Sequence, residues 1–313
     1  MLNNFMKNKV IVTTTINQPT EAIYKFDSFK DWTLIVVGDK KTPKNYKLKS
    51  GIYLSPKDQN KIDNKLSKLI GWNCIERRNF GLILANRMKA SVIALVDDDN
   101  IPYEFWGKNL LIGKKSYLKE YKIEDRVFDP FIATEYKSLW HRGFPLELID
   151  SRKVKSIKEK NIYVDVQADF WNGDPDIDAI CRMMYKPSCK FKSNNCPFFS
   201  NNYSPFNTQN TFISSSVLRD YFLFPDVGRM HDIWASYYLQ YKKNIIVAYN
   251  KPSVFQNRNE HDPIIDLNDE FIGLKQNYNL INQLIDKNFN MKNFFSKKAL
   301  QAYHEYKKHF KNG

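Results

Sequence analysis

The stretch Val92-Ile93-Ala94-Leu95-Val96-Asp97-Asp98-Asp99 decides the fold, because five apolar residues lead directly into three carboxylates. An apolar run of this length is typical of a strand buried on both faces. The acids then follow the carboxyl end of the strand, where open α/β sheets bind ligands. Adjacent carboxylates repel one another unless they face water or hold a cation, and oxygen ligands suit Mg²⁺ or Mn²⁺. A solvated acidic turn is the alternative, and the buried strand favours the cation site.

The composition is that of an ordinary globular protein, with 42% hydrophobic and 26% charged residues in a chain of 313. No apolar run approaches the roughly 20 residues of a membrane span, and the lack of a continuous apolar segment over residues 1–9 predicts that no secretory signal is present. Four scattered cysteines suggest reduced thiols. These features predict a cytoplasmic protein. The net charge of +14 points to nucleic acid, an anionic membrane surface or an anionic substrate as partner. Because the basic residues are dispersed along the chain, nucleic acid is disfavoured.

The first hundred residues alternate between strand and helix patterns. Strands are predicted over 9–15, 32–37 and 92–96, and helices over 20–29, 56–70 and 77–88. Ser55 followed by Pro56 is a sound helix start. This order predicts a parallel, nucleotide-binding α/β half. Because GxGxxG and GxxxxGK[ST] are both absent, dehydrogenases of the Rossmann type and P-loop enzymes are disfavoured.

The pattern after residue 102 is less regular. It predicts a strand over 162–166, a long loop or lid over 186–210, a helix starting at His231, a strand over 245–249 and helices from Asp269 onward. The C-terminal segment is basic and aromatic, and its charge raises the possibility of peripheral contact with an anionic inner membrane surface.

Several segments together resemble the STELLO-like family of glycosyltransferases, whose fold is of the GT-A type. They are VVGDKKTP (36–43), RNFG (78–81), DDDNIP (97–102), RGFPL (142–146), GDPDIDA (173–179), DIW (232–234) and RNEH (258–261). The resemblance covers roughly residues 10 to 262. It implies an α/β, GT-A-type nucleotide-binding fold with a central, mostly parallel sheet flanked by helices.

The resemblance also implies a domain organisation. A catalytic domain would occupy 1–265, with a nucleotide-binding half over about 9–102 and an acceptor half over about 103–265. Residues 266–313 would form a helical, basic C-terminal extension.

The activity implied by the resemblance is metal-dependent transfer of a sugar from a nucleotide-sugar donor, with a UDP-sugar favoured. The acceptor would be a saccharide or lipid-linked acceptor in cell-surface polysaccharide or glycoconjugate synthesis. Mn²⁺ or Mg²⁺ would neutralise the leaving diphosphate. A sugar-nucleotide mutase or self-glycosylating protein is the second enzymatic hypothesis. A basic nucleic-acid-binding or scaffold protein is the non-enzymatic one.

Donor and metal residues follow from the same comparison. Asp99 is the expected direct metal ligand, Asp97 would bind the ribose, a metal-bound water or the metal, and Asp98 would reach the donor sugar. His261 would be a third ligand, against the alternative of a structural histidine. The remaining donor-site residues are Thr13, Thr14 and Asp39 for the base and ribose, and Arg78 and Asn79 for the diphosphate or sugar.

Acceptor and catalytic residues are predicted in the second half. Asp232 resembles the base of inverting enzymes, with helix capping as its alternative. Asp176 is the rival base, and Asp174 and Asp178 would contact the acceptor, unless this acidic segment is a solvated turn. Trp234 would stack on a sugar ring, although aromatic residues at helical spacing are more often part of the core.

Overall fold

The computed structural model describes residues 8–257 and 262–310. The strands are β1 (Lys9–Thr15), β2 (Thr33–Gly38), β3 (Ile52–Leu54), β4 (Val92–Val96), β5 (Asn100–Pro102), β6 (Lys115–Ile123), β7 (Val154–Tyr163), β8 (Val166–Gly173), β9 (Phe198–Phe199), β10 (Asn210–Ser214) and β11 (Val247–Gln256). The helices are α1 (Glu21–Asp27), α2 (Pro56–Ile62), α3 (Asn64–Ile70), α4 (Arg78–Arg87), α5 (Ala179–Tyr185), α6 (His231–Lys243), α7 (Pro263–Ile285) and α8 (Lys297–Lys307).

The first four strands form the parallel half that the sequence predicts. They lie in the order β3-β2-β1-β4, and each pair is parallel. Helices connect β1 to β2 and β3 to β4, and a loop over 39–51 connects β2 to β3, because two parallel neighbours cannot be joined by a tight turn. All five residues of β4 are buried, which confirms the strand predicted from its apolar run. The carboxyl ends of β1, β2 and β4 therefore meet at one edge of the sheet.

The predicted α/β fold is confirmed, and the sheet as a whole is mixed rather than purely parallel. The described residues form one sheet of eleven strands, in the order β3-β2-β1-β4-β10-β8-β11-β9-β6-β7, with β5 paired to β11. β10 lies antiparallel between β4 and β8, and β6 and β7 form an antiparallel hairpin at the edge. The fold is α/β with helices flanking a large central sheet. Returning chain segments from the second half account for the antiparallel pairs.

Three local predictions differ from the structure. The helix predicted over 56–70 is two helices, because Asp63 ends α2 and caps α3 by accepting from the Leu66 N–H. The strand predicted over 162–166 is the corner between β7 and β8. β7 was missed because it is an exposed edge strand, and its lysine-rich sequence lacks an apolar alternation.

The segment 186–210 is a loop that packs into the molecule. Phe198, Phe199 and Phe206 within it are fully buried, and β9 pairs with both β6 and β11. This burial does not fit the predicted alternative of a lid.

The C-terminal helices pack against both halves, α8 on α3 and α7 on α5 and α6. Tyr303 and Tyr306 of α8 contact Phe222, and Lys65 of α3 pairs with Glu305 of α8 at 2.9 Å. α7 begins at Pro263, slightly before the predicted boundary at 266. No helix in the described residues has both the length and the apolar character needed to cross a lipid bilayer.

Candidate active site

The acidic turn, Asp97–Asp99, follows β4 at the carboxyl edge of the sheet. β1 pairs with β4 in parallel, with Val12 opposite Leu95, so the last residues of β1 lie beside the turn. All three aspartates are partly exposed, whereas Asn100 is buried. A buried strand thus delivers three carboxylates to a surface position, as the sequence predicts.

Asp98 is held by the segment that links β1 to α1. Its Oδ2 accepts hydrogen bonds from the Thr15 hydroxyl and, at 3.3 Å, from Asn17 Nδ2. Its backbone carbonyl accepts from the Thr20 hydroxyl, and Thr20 is the N-cap of α1. Both side-chain bonds use Oδ2. Among the described residues no hydrogen bond reaches Oδ1, so this oxygen can accept from a cation or a substrate.

Asp97 forms an ion pair with Arg78, the first residue of α4. Arg78 Nη2 lies 2.8 Å from Asp97 Oδ1, and the Arg78 side chain is 1% exposed, against 22% for Asp97. Arg78 Nη1 also donates to the Thr208 carbonyl at 2.8 Å. Burial raises the pKa of Asp97, and the charge and hydrogen bond of Arg78 act in the opposite direction. Arg78 therefore acts as a fixed cation behind the acidic turn.

A cleft of about 240 Å³ lies between the ends of β1 and β2. We call it the β1–β2 cleft, and its lining residues include Thr14, Thr15, Val37, Asp39, Cys74 and Asp98. Asp39 Oδ2 accepts from the Cys74 N–H at 3.2 Å, and the Asp39 N–H donates to the Thr42 hydroxyl at 2.7 Å. The cleft wall is thus fixed by hydrogen bonds between consecutive loops. Two of the predicted base and ribose contacts, Thr14 and Asp39, lie here.

A second cleft of about 320 Å³ lies on the other side of Asp98. We call it the α1 cleft, and it is lined by Asn17, Thr20, Glu21, Ala22, Asp98, Asp99, Ile101 and Asn257. The Asn257 N–H donates to the Asp99 carbonyl at 3.3 Å. His261, the predicted third metal ligand, follows four residues later in the chain and lies outside the described residues. Its role stays a prediction.

The donor set of the acidic turn suits a cation that relies on few protein ligands. Within residues 8–257 and 262–310, no three His, Cys, Asp or Glu side chains are grouped so that they could hold a metal. Mg²⁺ sites commonly use one or two carboxylates and complete their coordination with substrate phosphates and water. The acidic turn offers carboxylate oxygens of that kind at the surface. It fits Mg²⁺ or Mn²⁺ bound together with a phosphate ligand, and does not form a closed protein cage.

The two predicted bases, Asp176 and Asp232, share one arginine. Arg142 binds Asp176 through Nε at 2.7 Å and Nη2 at 3.0 Å. It binds Asp232 through Nη1 at 3.0 Å and Nη2 at 3.1 Å. The exposed fraction of the side chain is 5% for Arg142, 0% for Asp176 and 2% for Asp232. Two carboxylates on one planar guanidinium form a closed, buried ionic cluster.

Arg142 keeps both carboxylates ionised. Burial raises the pKa of Asp232, but the charge of Arg142, with smaller contributions from His231 and from hydrogen bonding, brings it to about 2. The pKa of Asp176 also lies below its usual range, for the same reason. Burial lowers the pKa of His231 to about 4. A carboxylate with so low a pKa is a weak proton acceptor at neutral pH.

Asp232 is not the cap of α6, which was its structural alternative. It is the second residue of the helix, and the N-cap position is held by Met230 without a side-chain hydrogen bond. Its Oδ2 instead accepts from the Thr208 N–H at 3.2 Å. Because the Thr208 carbonyl binds Arg78, the buried cluster and the acidic turn are connected through one residue.

The residues predicted to contact the acceptor occupy different environments. Asp174 is partly exposed and pairs with Arg182. Asp178 is buried as the N-cap of α5, and burial raises its pKa to about 6. Trp234 is fully buried and donates to Asn277 Oδ1 at 2.8 Å, so it belongs to the core. Of the three, Asp174 has surface available for a ligand.

Two predicted donor residues are turned away from the clefts. Asn79 is buried and exchanges two hydrogen bonds with the backbone of Leu223, at 2.9 and 3.0 Å. Thr13 is fully buried.

Thr15 and Asn17, which the sequence did not single out, contact Asp98 instead. Strand alternation beyond Thr13 could have indicated Thr15, but the loop position of Asn17 carries no such signal.

Comparison with known proteins gives one relationship. The chain is 27% identical over 194 residues to the probable glycosyltransferase STELLO1 of Arabidopsis thaliana, and the match covers 56% of the chain. STELLO2 of the same plant is similar to the same degree. The chain is therefore similar to the STELLO proteins over about half of its length. No family model matches it.

The STELLO-like relationship that the motifs predict is thus confirmed. The match covers only part of the length of each relative. The matched region covers 24% of STELLO1 and 25% of STELLO2, so the chain spans about a quarter of the length of the curated relatives it matches.

Proposed function

We propose that this chain is a glycosyltransferase that takes its sugar from a nucleotide-sugar donor. The observation that carries the proposal is the position of Asp98, which lies two residues beyond the buried strand β4 and lines both the β1–β2 cleft and the α1 cleft. A donor diphosphate above Asp98 would have the nucleotide on one side and the sugar on the other. The names of two similar plant proteins, both probable glycosyltransferases, support the same reaction class.

The nucleotide binds in the β1–β2 cleft under this proposal. Thr14 and Asp39 supply hydrogen-bonding groups there, and Val37 and Ile75 supply apolar surface for a base. This mixture of an apolar wall and a few fixed polar groups is typical of small-molecule sites. The sugar and the acceptor bind in the α1 cleft, which the acidic turn separates from the nucleotide. A UDP-sugar remains the favoured donor, and a saccharide or lipid-linked saccharide the favoured acceptor.

The charge of the leaving diphosphate is handled at the acidic turn. Mg²⁺ or Mn²⁺, when bound, would neutralise the negative charge that develops on the leaving group. Asp98 and Asp99 would contribute carboxylate oxygens, and Thr15 and Asn17 orient Asp98 through its Oδ2. Arg78 holds Asp97 and reduces the repulsion among the three carboxylates.

The buried cluster has a positioning role in this proposal. Asp232 binds the Thr208 N–H, and the Thr208 carbonyl binds Arg78, which in turn holds Asp97. With a side chain only 2% exposed and a pKa of about 2, Asp232 is better suited to fixing this chain of contacts than to accepting a proton. The same argument applies to Asp176.

The test of metal-dependent donor binding is a thermal-shift measurement with UDP, with and without Mn²⁺. We expect a saturating mixture to raise Tm by roughly 5 °C, and either component alone to raise it much less. Asp98→Asn keeps the shape of the side chain and removes its charge, so we expect it to abolish the shift. Asp31→Asn is the matched control, because Asp31 is an exposed carboxylate that precedes β2 at the opposite edge of the sheet. A full shift in Asp98→Asn would contradict the assignment.

Turnover assays separate the enzymatic hypotheses. A transferase releases UDP from a UDP-sugar and labels an added acceptor, a mutase yields an isomeric nucleotide sugar without acceptor, and a self-glycosylating protein gains mass. A nucleic-acid-binding protein would show binding that falls steeply with salt and no response to Mn²⁺ with UDP. That last result would overturn the proposed function.

A further inference from the structure

A large cleft lies at the edge of the sheet opposite the acidic turn. Its volume is about 880 Å³, and it is formed where α4, α6 and α8 end near the end of β10. We call it the basic cleft, because six of its lining side chains are cations: Arg87, Lys89, Arg219, Lys242, Lys243 and Lys307. The Ser215 N–H, on the cleft side, donates to the Ser91 carbonyl at 3.1 Å, immediately before β4. The acidic turn follows the other end of β4, roughly 17 Å away along the strand. The two sites are therefore separate.

The positive charge of the basic cleft is largely uncompensated. Asp220 is the one carboxylate among the described lining residues, and Lys243 Nζ lies 3.1 Å from it. Tyr303 donates a hydrogen bond to the same carboxylate, at 3.3 Å. Within residues 8–257 and 262–310, Arg219 and Lys242 form no ion pair.

The cations are close enough to affect one another. Burial lowers the pKa of Lys307, and the charges of Arg219 and Lys242 act in the same direction, while Asp220 opposes them. Like charges gathered in a concave site repel one another. An anion in the cleft would remove that repulsion.

Helix ends explain only part of this arrangement. Arg87, Lys242 and Lys307 lie in the last turns of their helices, where cations interact favourably with the helix dipole. Arg219 does not, since it follows the short helical turn at Ser215–Val217. Lys89 lies beyond the end of α4 with φ of 56°, where the backbone turns towards β4. The helix dipole does not account for the gathering of all these groups around one cavity.

We propose that the basic cleft binds a ligand that carries at least two phosphate groups. The cavity is larger than a single phosphate requires, and its cations come from several elements, so they can contact separate phosphates at once. The Asn86 amide and the hydroxyl of Ser216 add neutral hydrogen-bonding groups. A soluble oligophosphate and a phosphorylated lipid headgroup share this chemistry. The concave shape favours either of them over an extended nucleic acid, which follows a long basic groove.

The first experiment measures tripolyphosphate binding to the full chain by calorimetry at fixed ionic strength. We expect the double variant Arg219→Gln/Lys242→Gln to bind roughly tenfold or more weakly, because two charge-assisted contacts are lost. The matched control is Lys155→Gln/Lys158→Gln on the exposed edge strand β7, which removes the same net charge. We expect its affinity to stay within about twofold of the wild type. The midpoint of urea unfolding without ligand serves as the folding check and should be unchanged in both variants. If the double variant fails that check, the single Lys242→Gln variant, altered at an exposed side chain, replaces it.

Vesicle sedimentation identifies the source of the phosphates. The vesicles contain phosphatidylcholine with cardiolipin, whose headgroup carries two phosphates. A lipid headgroup would be assigned if the wild type is retained on these vesicles, if tripolyphosphate competes with that retention, and if the cleft variant is not retained. Tripolyphosphate binding without such retention would assign a soluble ligand. The proposal would be overturned if the wild type did not bind tripolyphosphate, or if the control variant lost as much affinity as the cleft variant. It would equally fail if a single-stranded oligonucleotide bound more tightly than tripolyphosphate at equal phosphate concentration.

Discussion

Arg78 on α4 and Asp97 of the acidic turn form an ion pair of 2.8 Å in which the arginine side chain is 1% exposed. The pair brings a buried cation to the base of three adjacent carboxylates. Since Arg78 also binds the Thr208 carbonyl, it fixes the turn relative to the second half of the sheet. The geometry of the candidate donor site thus depends on one side chain that no ligand needs to touch.

Replacing Arg78 by methionine should lower the free energy of unfolding by about 3 to 5 kcal/mol, because it leaves a partly buried carboxylate and a buried carbonyl without their partner. The measurement is urea unfolding at neutral pH. Arg126→Met is the control, since Arg126 pairs with Asp286 at 3.4 Å with both side chains about half exposed. That variant should lose less than about 1 kcal/mol. If the two variants lost the same free energy of unfolding, the buried Arg78–Asp97 pair would stabilise the fold no more than an exposed pair does.

Asp232 should make the chain sensitive to acid. Its pKa is lowered from 3.8 to about 2 in the folded state, so its contribution is fully present above the unfolded pKa and is lost as pH falls towards 2. The size of that contribution is about 2 kcal/mol. Relative to Asp232→Asn, the wild type should therefore lose about 2 kcal/mol more stability between pH of about 4 and about 2. Urea unfolding across that range tests this, with Asp269→Asn on the exposed surface of α7 as control. If the free energy of unfolding changed with pH in the same way in the wild type and in Asp232→Asn, the coupling to Arg142 would be contradicted.

Asp169 should have the opposite effect at higher pH. Burial raises its pKa from 3.8 to about 7, despite hydrogen bonds from Gln167 and Ser253 at 2.7 Å each. A raised folded pKa contributes stability below the unfolded pKa that is lost as pH rises through 7. Asp169→Asn removes that loss, so its stability relative to the wild type should increase by about 3 kcal/mol between pH of about 5 and about 8. Unfolding experiments at the two pH values provide the comparison, and Asp31→Asn should show no such increase.

Gly143, beside Arg142, should tolerate no side chain. Its φ is +85°, and an added Cβ would overlap the Ile233 side chain on α6. Gly143→Ala should cost about 3 kcal/mol, from backbone strain and overpacking together. Gly71 separates the two contributions, because it has φ of +88° but no atom within 4 Å of an added Cβ. Gly71→Ala should cost about 1 kcal/mol. If both substitutions cost the same, the contact with Ile233 would be unimportant.

Local pattern predicted much of the first half of the chain, although it did not show the break at Asp63 or strand β3. The apolar run of β4, the β-branched run of β1 and the Ser55-Pro56 helix start all describe interactions within a few residues, and all three were confirmed. The acidic turn was placed correctly for the same reason, since a strand buried on both faces can release its polar neighbours only at its end. Edge strand β7 was missed because exposure removes the apolar alternation that marks a strand.

The sequence by itself therefore determined the α/β half, the acidic turn and the STELLO-like relationship. Tertiary structure alone decided which charges meet. Arg142 binds Asp176 and Asp232, which lie 34 and 90 residues further along the chain, and Arg78 reaches Thr208 across 130 residues. No periodicity records such a contact, because ion pairs form between side chains that the packing of distant elements brings together. Burial then set the ionisation of those carboxylates, and burial is a property of the whole fold.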